Sequence, residues 1–206
     1  MRISRTLLLI GTGLALAGCE RAETPAPAAE PPGAATPAPE PIQASASARV
    51  TLDAVGGSGA GGELQFNVDN GAVRVTGTLT GLDPGATHAF HVHETGDCSA
   101  PDATSAGGHF NPDDAPHGDR TAGGPHHAGD MPNQVADDSG RASVDQRLEG
   151  LEIASAGDRD IVGKAVIVHA RPDDYTTQPT GDAGGRIACG VIVANAPASP
   201  TGDPAQ

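Results

Sequence analysis

The chain has 206 residues, a formal net charge of -14, three cysteines, no tryptophan and 2% aromatic residues. So acidic a chain is a poor partner for nucleic acid or for an anionic membrane surface, since both repel it. The length allows one ordinary domain with appendages, and the shortage of large aromatic side chains leaves that domain in need of reinforcement beyond its core.

Residues 1–18 read as a bacterial lipoprotein signal. Arg2 and Arg5 form a basic start, Leu7 to Leu16 is an apolar run too short for a comfortable membrane span, and Leu16-Ala17-Gly18-Cys19 matches the lipoprotein cleavage pattern. Cleavage before Cys19 would leave it free for lipid attachment, so the expectation is an exported protein anchored to a bacterial membrane, its domain in the periplasm or outside the cell. Residues 19–47 are rich in Ala, Pro and Glu and cannot bury enough apolar surface to offset the entropy of ordering. They read as a disordered tether, about 80–90 Å long if extended at ~3.1 Å per residue. The folded domain is expected over residues 48–196, with 197–206 a second disordered tail.

Within that domain no segment has the spacing of an amphipathic helix. Glu63–Val68 and Val73–Leu79 alternate in period two, and Asp69-Asn70-Gly71 between them is a hairpin turn signal. Asp83-Pro84-Gly85 marks another turn, followed by strand character over His88–His93, Ala142–Leu148, Ile161–His169 and Arg186–Ala194. The pattern predicts an all-β fold, a Greek-key sandwich or flattened barrel of about eight antiparallel strands. Two long irregular segments, residues 94–134 and 170–185, interrupt it, and loops of that length usually carry function.

Histidines are concentrated in and around these loops. His91 and His93 share a strand face, with Cα atoms roughly 6.5–7 Å apart, so their imidazoles can converge on one ion. His169, at the end of another strand, could add a third ligand. His109, His117, His127 and Asp130 offer three nitrogens and one oxygen, a set suited to tetrahedral structural zinc. Imidazole suits both copper and zinc. His88 reads as a hydrogen-bonded structural residue, and the His-x-Gly-Asp spacing favours His127 over its neighbour His126. Cys98 and Cys189 remain as a pair in an exported chain, which points to one disulfide.

Taken in order, His88-Ala-Phe-His91-Val-His93-Glu94, Gly107-Gly108-His109-Phe110-Asn111-Pro112, His127-Ala-Gly-Asp130, Val168-His169 and Gly184-Gly185-Arg186-Ile187-Ala188-Cys189-Gly190 resemble the copper–zinc superoxide dismutases, nearest the bacterial exported branch. The resemblance covers about residues 48 to 194. It implies dismutation of superoxide to dioxygen and hydrogen peroxide, with copper and zinc as cofactors. The copper ligands would be His91, His93, His109 and His169; the zinc ligands His109, His117, His127 and Asp130, with His109 bridging the two ions. It implies further that Arg186 guides the substrate, that Asp173 links a copper histidine to a zinc histidine, and that Cys98 and Cys189 form the intrasubunit disulfide. Two features depart from the pattern. Tyr175–Gly185 lacks Lys and Glu, which weakens a charged steering loop, and without tryptophan the aromatic contact of some bacterial dimers is missing, so monomer and homodimer both stay open. The rival reading is an exported copper or zinc buffer on the same sandwich, which needs neither a bridging histidine nor an anion-guiding arginine.

Overall fold

The computed structural model describes residues 46–196; the leader, Cys19, nearly all of the tether and residues 197–206 lie outside that range. Ten strands follow in chain order: β1 Ser47–Ala54, β2 Gly61–Asp69, β3 Ala72–Thr80, β4 Thr87–His88, β5 Phe90–His93, β6 Gln134–Val135, β7 Ala142–Leu148, β8 Ala165–His169, β9 Arg186–Val191 and β10 Val193–Ala194. Eight of them make one curled sheet, in the order β5-β8-β9-β1-β2-β3-β7 with β10 also on β1, and β4 pairs with β6 separately. Every pairing between these strands is antiparallel.

The hairpin forms as its sequence requires. Phe66 lies opposite Val75 and Val68 opposite Val73. The turn places both Asn70 and Gly71 at positive φ, 48° and 78°, the combination that matches the twist of two paired strands. Leu64 and Phe66 are buried while Glu63 and Gln65 face solvent, so period-two alternation decides which face enters the core.

Curling of the sheet depends on β1, a strand that the sequence pattern did not single out. Its first residues, Ala48 and Arg49, pair with β10, whereas its last, Asp53 and Ala54, pair with β9. One strand thus turns the corner between the two faces, and Leu64, Phe66, Phe90, Val92, Val144 and Ile192 pack in the interior between them.

Three expected strands have different limits; the one expected over Arg186–Ala194 is interrupted at Ile192, which leaves β9 and β10. The segment from His88 to His93 breaks at Ala89, so His88 pairs with Gln134 and Phe90–His93 pairs with β8. The strand expected from Ile161 begins only at Ala165: residues 161–164 form a turn closed by Lys164 N–H donating to Ile161 O at 3.1 Å, with Gly163 at φ 81°. Ile161 is fully buried all the same, because the turn packs inward. Apolar content alone could not distinguish the two.

Helical structure among the described residues amounts to two single 3-10 turns, Thr104–Ala106 and Arg120–Ala122. No helix there is long and apolar enough to cross a membrane. The first long loop is fastened by a Cys98–Cys189 disulfide, with Cα atoms 5.9 Å apart and 91 residues of separation. Closing so long a loop contributes roughly 4–5 kcal/mol in the chain-entropy model, a large share of the stability of a small domain. Ala103, Ala106 and Ile167 pack around it.

Candidate metal centre

Strand β5 delivers His91 and His93, and β8 delivers His169 from the adjacent strand. His109 arrives from the first loop, which lies against β5 as an irregular extra strand: Phe110 N–H donates to Val92 O at 2.8 Å and Glu94 N–H to Gly108 O at 2.9 Å. The turn from His127 to Asp130 docks on the same strand through Gly129, whose N–H donates to Phe110 O at 2.8 Å and whose carbonyl accepts from Val92 N–H at 3.0 Å. A side chain at Gly129 would overlap Val92 O, so glycine is required for this approach.

Two groups of candidate ligand atoms result, His91–His93–His109–His169 and His109–His117–His127–Asp130, each with its atoms within 4.8 Å of one another and all seven residues buried. His109 belongs to both. Its ring centroid lies 4.0 Å from that of His91 and 5.3 Å from that of His117.

The outward nitrogens are held one by one. His91 Nε2 lies 2.8 Å from Asp173 Oδ2 and His117 Nε2 lies 2.9 Å from Asp173 Oδ1. His93 Nδ1 donates to Gly107 O at 2.9 Å, and His169 Nδ1 is 3.3 Å from Gly184 O. A ring nitrogen that donates to oxygen carries the proton and leaves a lone pair on the opposite nitrogen. Those inner lone pairs point at one another. His91 Nδ1 and His109 Nε2 are buried without a hydrogen-bond partner, and His93 Nε2 stands 3.4 Å from His169 Nε2. On the other side, three ring nitrogens, the Nδ1 atoms of His109, His117 and His127, surround the single oxygen Asp130 Oδ1 at 2.7, 3.0 and 3.3 Å. Lone pairs buried face to face are costly unless a cation lies between them. The residues present therefore fit two metal ions, a nitrogen-only site and a site of three nitrogens and one oxygen, the donor sets that suit copper and zinc.

Titration points the same way. Burial, reinforced by neighbouring histidines, pushes His93 well below the usual imidazole range and His169 down to about 3, so both are neutral ligands at ordinary pH. Burial also lowers His109 to about 4 against the pull of Asp130. His117 goes the other way: burial would lower it, but hydrogen bonds to Asp130 and Asp173 raise it to about 9. Burial likewise opposes ionisation of Asp130, and its three histidine partners hold its carboxyl far below the usual range. The two carboxylates call for positive charge between them.

Arg186, in β9, is half-buried and donates through Nη1 to Ala103 O and through Nη2 to Gly107 O at 2.6 Å. Gly107 O also accepts from His93, so the guanidinium is one hydrogen bond away from a ligand histidine, and its charge contributes to lowering both His93 and His169. His88 is buried and its Nδ1 donates to His169 O at 2.9 Å, outside both ligand sets. His126 stays apart as well, with Nδ1 on Gly124 O at 2.8 Å.

Several supporting residues carry no signal in the sequence. Asn133 clasps the backbone of Asp173 at both ends, accepting from its N–H and donating to its carbonyl, each at 2.9 Å. Gln178 does the same to His117, also at 2.9 Å. These amides join the two long loops, and only spatial proximity identifies them.

Residues 60–192 match the family described as copper/zinc superoxide dismutase (SODC). The chain is 43% identical over 135 residues to superoxide dismutase [Cu-Zn] 2 of Aquifex aeolicus, covering 64% of this chain and 78% of that protein. It is 34% identical over 194 residues to the superoxide dismutase-like protein YojM of Bacillus subtilis, covering 92% of this chain and 95% of that one. Among solved structures, a superoxide dismutase-like protein from Bacillus subtilis superimposes with a TM-score of 0.63 at 35% identity, over 69% of this chain and 96% of that one. The clock protein EA4 does so with a TM-score of 0.63 at 36% identity, over 74% and 97%. With the curled sheet, the disulfide and both ligand clusters in place, the conclusion follows that this chain belongs to the copper/zinc superoxide dismutase family.

Proposed function

We propose that His91, His93, His109 and His169 hold copper, that His109, His117, His127 and Asp130 hold zinc, and that the protein uses this pair to dismutate superoxide with His109 as the bridge. The chain is an enzyme of the copper–zinc superoxide dismutase type, and copper and zinc are its cofactors. The observation that carries the mechanistic reading is the membership of His109 in both ligand groups. A metal buffer has no use for a shared ligand.

Copper held by His91, His93, His109 and His169 would supply a one-electron couple, and zinc, without redox chemistry, would supply fixed charge. Two superoxide anions and two protons thereby become dioxygen and hydrogen peroxide. The chain manages the protons and the approach. His109 Nε2 takes up one proton between the half-reactions and gives it to the departing peroxide, and water supplies the other. Asp130 keeps the opposite nitrogen of His109 in place meanwhile, so the ring returns to the same position. Arg186 attracts the anion and orients it, a role worth more in a partly buried cleft than at an open surface. Asp173 holds His91 and His117 in the required tautomers.

The same reading places the enzyme outside the cytoplasm, lipid-anchored through Cys19 on the tether of residues 19–47, as a monomer or a homodimer. An exported position is supported by the disulfide, which persists in oxidising compartments. The deciding experiment is metal analysis of the purified protein with superoxide decay followed beside it. Protein carrying both metals should accelerate decay, and protein carrying zinc alone should not. Decay at the spontaneous rate with both metals bound would overturn the reading in favour of a metal buffer.

A further inference from the structure

Arg120 lies between the two loop histidines His117 and His127, on the single helical turn Arg120–Ala122, where Asp119 accepts from Thr121 N–H as the cap. Its guanidinium makes an unusual choice of partners. Nε donates to Asp130 O at 2.8 Å, Nη2 donates to Ala128 O and at 3.4 Å to His127 O, and Nη1 donates to Glu149 O at 2.9 Å. Among the described residues no carboxylate accepts a hydrogen bond from it, although the chain is rich in acidic groups. Burial lowers its pKa somewhat against the nearby negative charges of Asp130 and Glu149, and an arginine so placed stays charged.

Three of those acceptors are carbonyls of one short turn, the turn that carries His127 and Asp130. The fourth follows the end of β7. A planar guanidinium offers its donors in a fixed fork, so a single side chain can set the directions of several carbonyls at once. We propose that Arg120 is a positioning residue for zinc: it holds the His127–Asp130 turn in its ligating shape and clamps that turn to the end of β7. The inference rests on the assignment of zinc to His109, His117, His127 and Asp130. The stretch around Arg120 contains Gly118, Gly123 and Gly124 and has no sheet ladder of its own; besides Arg120, it reaches Asp130 through Gly118 N–H, which donates to Asp130 Oδ2 at 3.1 Å. Ordering ligands before the ion arrives raises affinity, because the ordering cost no longer counts against binding.

The test uses purified protein loaded at the zinc position alone, with cobalt(II) as a spectroscopic probe and a chelator in competition. Arg120→Met should bind zinc about 10- to 100-fold more weakly, the range typical for loss of a residue that orients metal ligands, and should alter the visible cobalt absorption that reports ligand geometry. Arg120→Lys should recover part of the affinity, since an ammonium keeps the charge without the fork. The thermal midpoint of the zinc-loaded variant should fall further than that of the metal-free variant. Wild-type affinity and an unchanged cobalt spectrum in both variants would overturn the proposal, and so would an equal fall of the two midpoints, which marks a general packing role. Should Arg120→Met fail to fold, an Arg120→Lys protein with wild-type zinc affinity and spectrum overturns it, and one with weakened affinity and an altered spectrum supports it. Wild-type protein that takes up no cobalt would bring down the zinc assignment itself, and the role of Arg120 with it, a result distinct from every other outcome.

Discussion

Gly181 lies directly against Asp173: a methyl group at Gly181 would overlap Asp173 Oδ1, the atom held 2.9 Å from His117 Nε2. The glycine also adopts φ 65°, a conformation that other residues rarely take. The second long loop thus lies against the carboxylate that joins His91 of one group to His117 of the other, at a point where no side chain fits. Gly181→Ala should push Asp173 away from His117 and His91, loosen both rings and weaken binding of both metals by about 10-fold or more. Metal titration of the variant checks this, and unchanged affinity for both ions would show that the loop shifts without disturbing the carboxylate.

His169 and Asp130 lie on opposite sides of His109, so their removal should separate the two sites. His169→Ala should lose copper and nearly all activity while zinc and the fold persist. Asp130→Ala should weaken zinc binding, loosen residues 109–130 and lower the thermal midpoint, with copper partly retained. Metal analysis of each variant decides. Equal loss of both ions in both variants would contradict the division of ligands.

Arg186 combines charge with structure, since it grips Ala103 O and Gly107 O. Arg186→Ala should reduce activity roughly 10- to 100-fold with copper content unchanged, corresponding to about 1–3 kcal/mol of capture and placement. Lys should restore part of this and Glu should be worse than Ala. Higher ionic strength should slow the wild type more than Arg186→Ala, because screening acts on the charge that the variant lacks. Full activity in copper-loaded Arg186→Glu would reduce this residue to a loop clamp.

Acid should destabilise the metal-free protein well above the range of ordinary carboxylates. His109 and His169 are held near 4 and 3 in the fold, chiefly by burial, against about 6.5 in an unfolded chain. Between those limits the unfolded state binds more protons, so stability rises with pH. Acidification from about 6.5 toward 3–4 should therefore lower the thermal midpoint progressively. His117, raised to about 9, contributes in the opposite sense: its stabilisation is complete below about 6.5 and is lost as pH climbs through 9. Midpoints measured from pH 3 to 10 should form a dome in the metal-free protein. Bound metals should flatten its acid side until protons displace them. A flat profile for the metal-free form would contradict the buried neutral histidines.

Anchoring at Cys19 has a direct readout. Wild-type protein should partition with detergent in the membrane fraction, and Cys19→Ser should release it. Wild-type protein recovered wholly in soluble form from the exported compartment would refute the anchor.

Strand character and the candidate metal-binding histidines were legible in the sequence because both follow local rules. Alternation at Glu63–Val68 and Val73–Leu79 reports which side faces the core, and the spacing of His91 and His93 places two imidazoles on one face without knowledge of any other strand. The limits of β8 and the break at Ala89 were not legible. Ile161 is as apolar as a strand residue, and only its neighbours in space make it part of a turn.

The sequence by itself determined the all-β class, the hairpin, the candidate ligands and the cysteine pair, since each rests on residue chemistry or on spacing along a few neighbouring positions. Tertiary structure alone decided how those residues combine. It placed His109 in both clusters, oriented His91, His93, His117 and His169 through a hydrogen bond on the far nitrogen, and put His127 rather than His126 beside Asp130. It also recruited Asn133, Gln178, Arg120 and Gly181, which no motif marks. The physical reason is that a ligand's protonation state and direction depend on what touches its other side, and those partners lie up to 82 residues away along the chain.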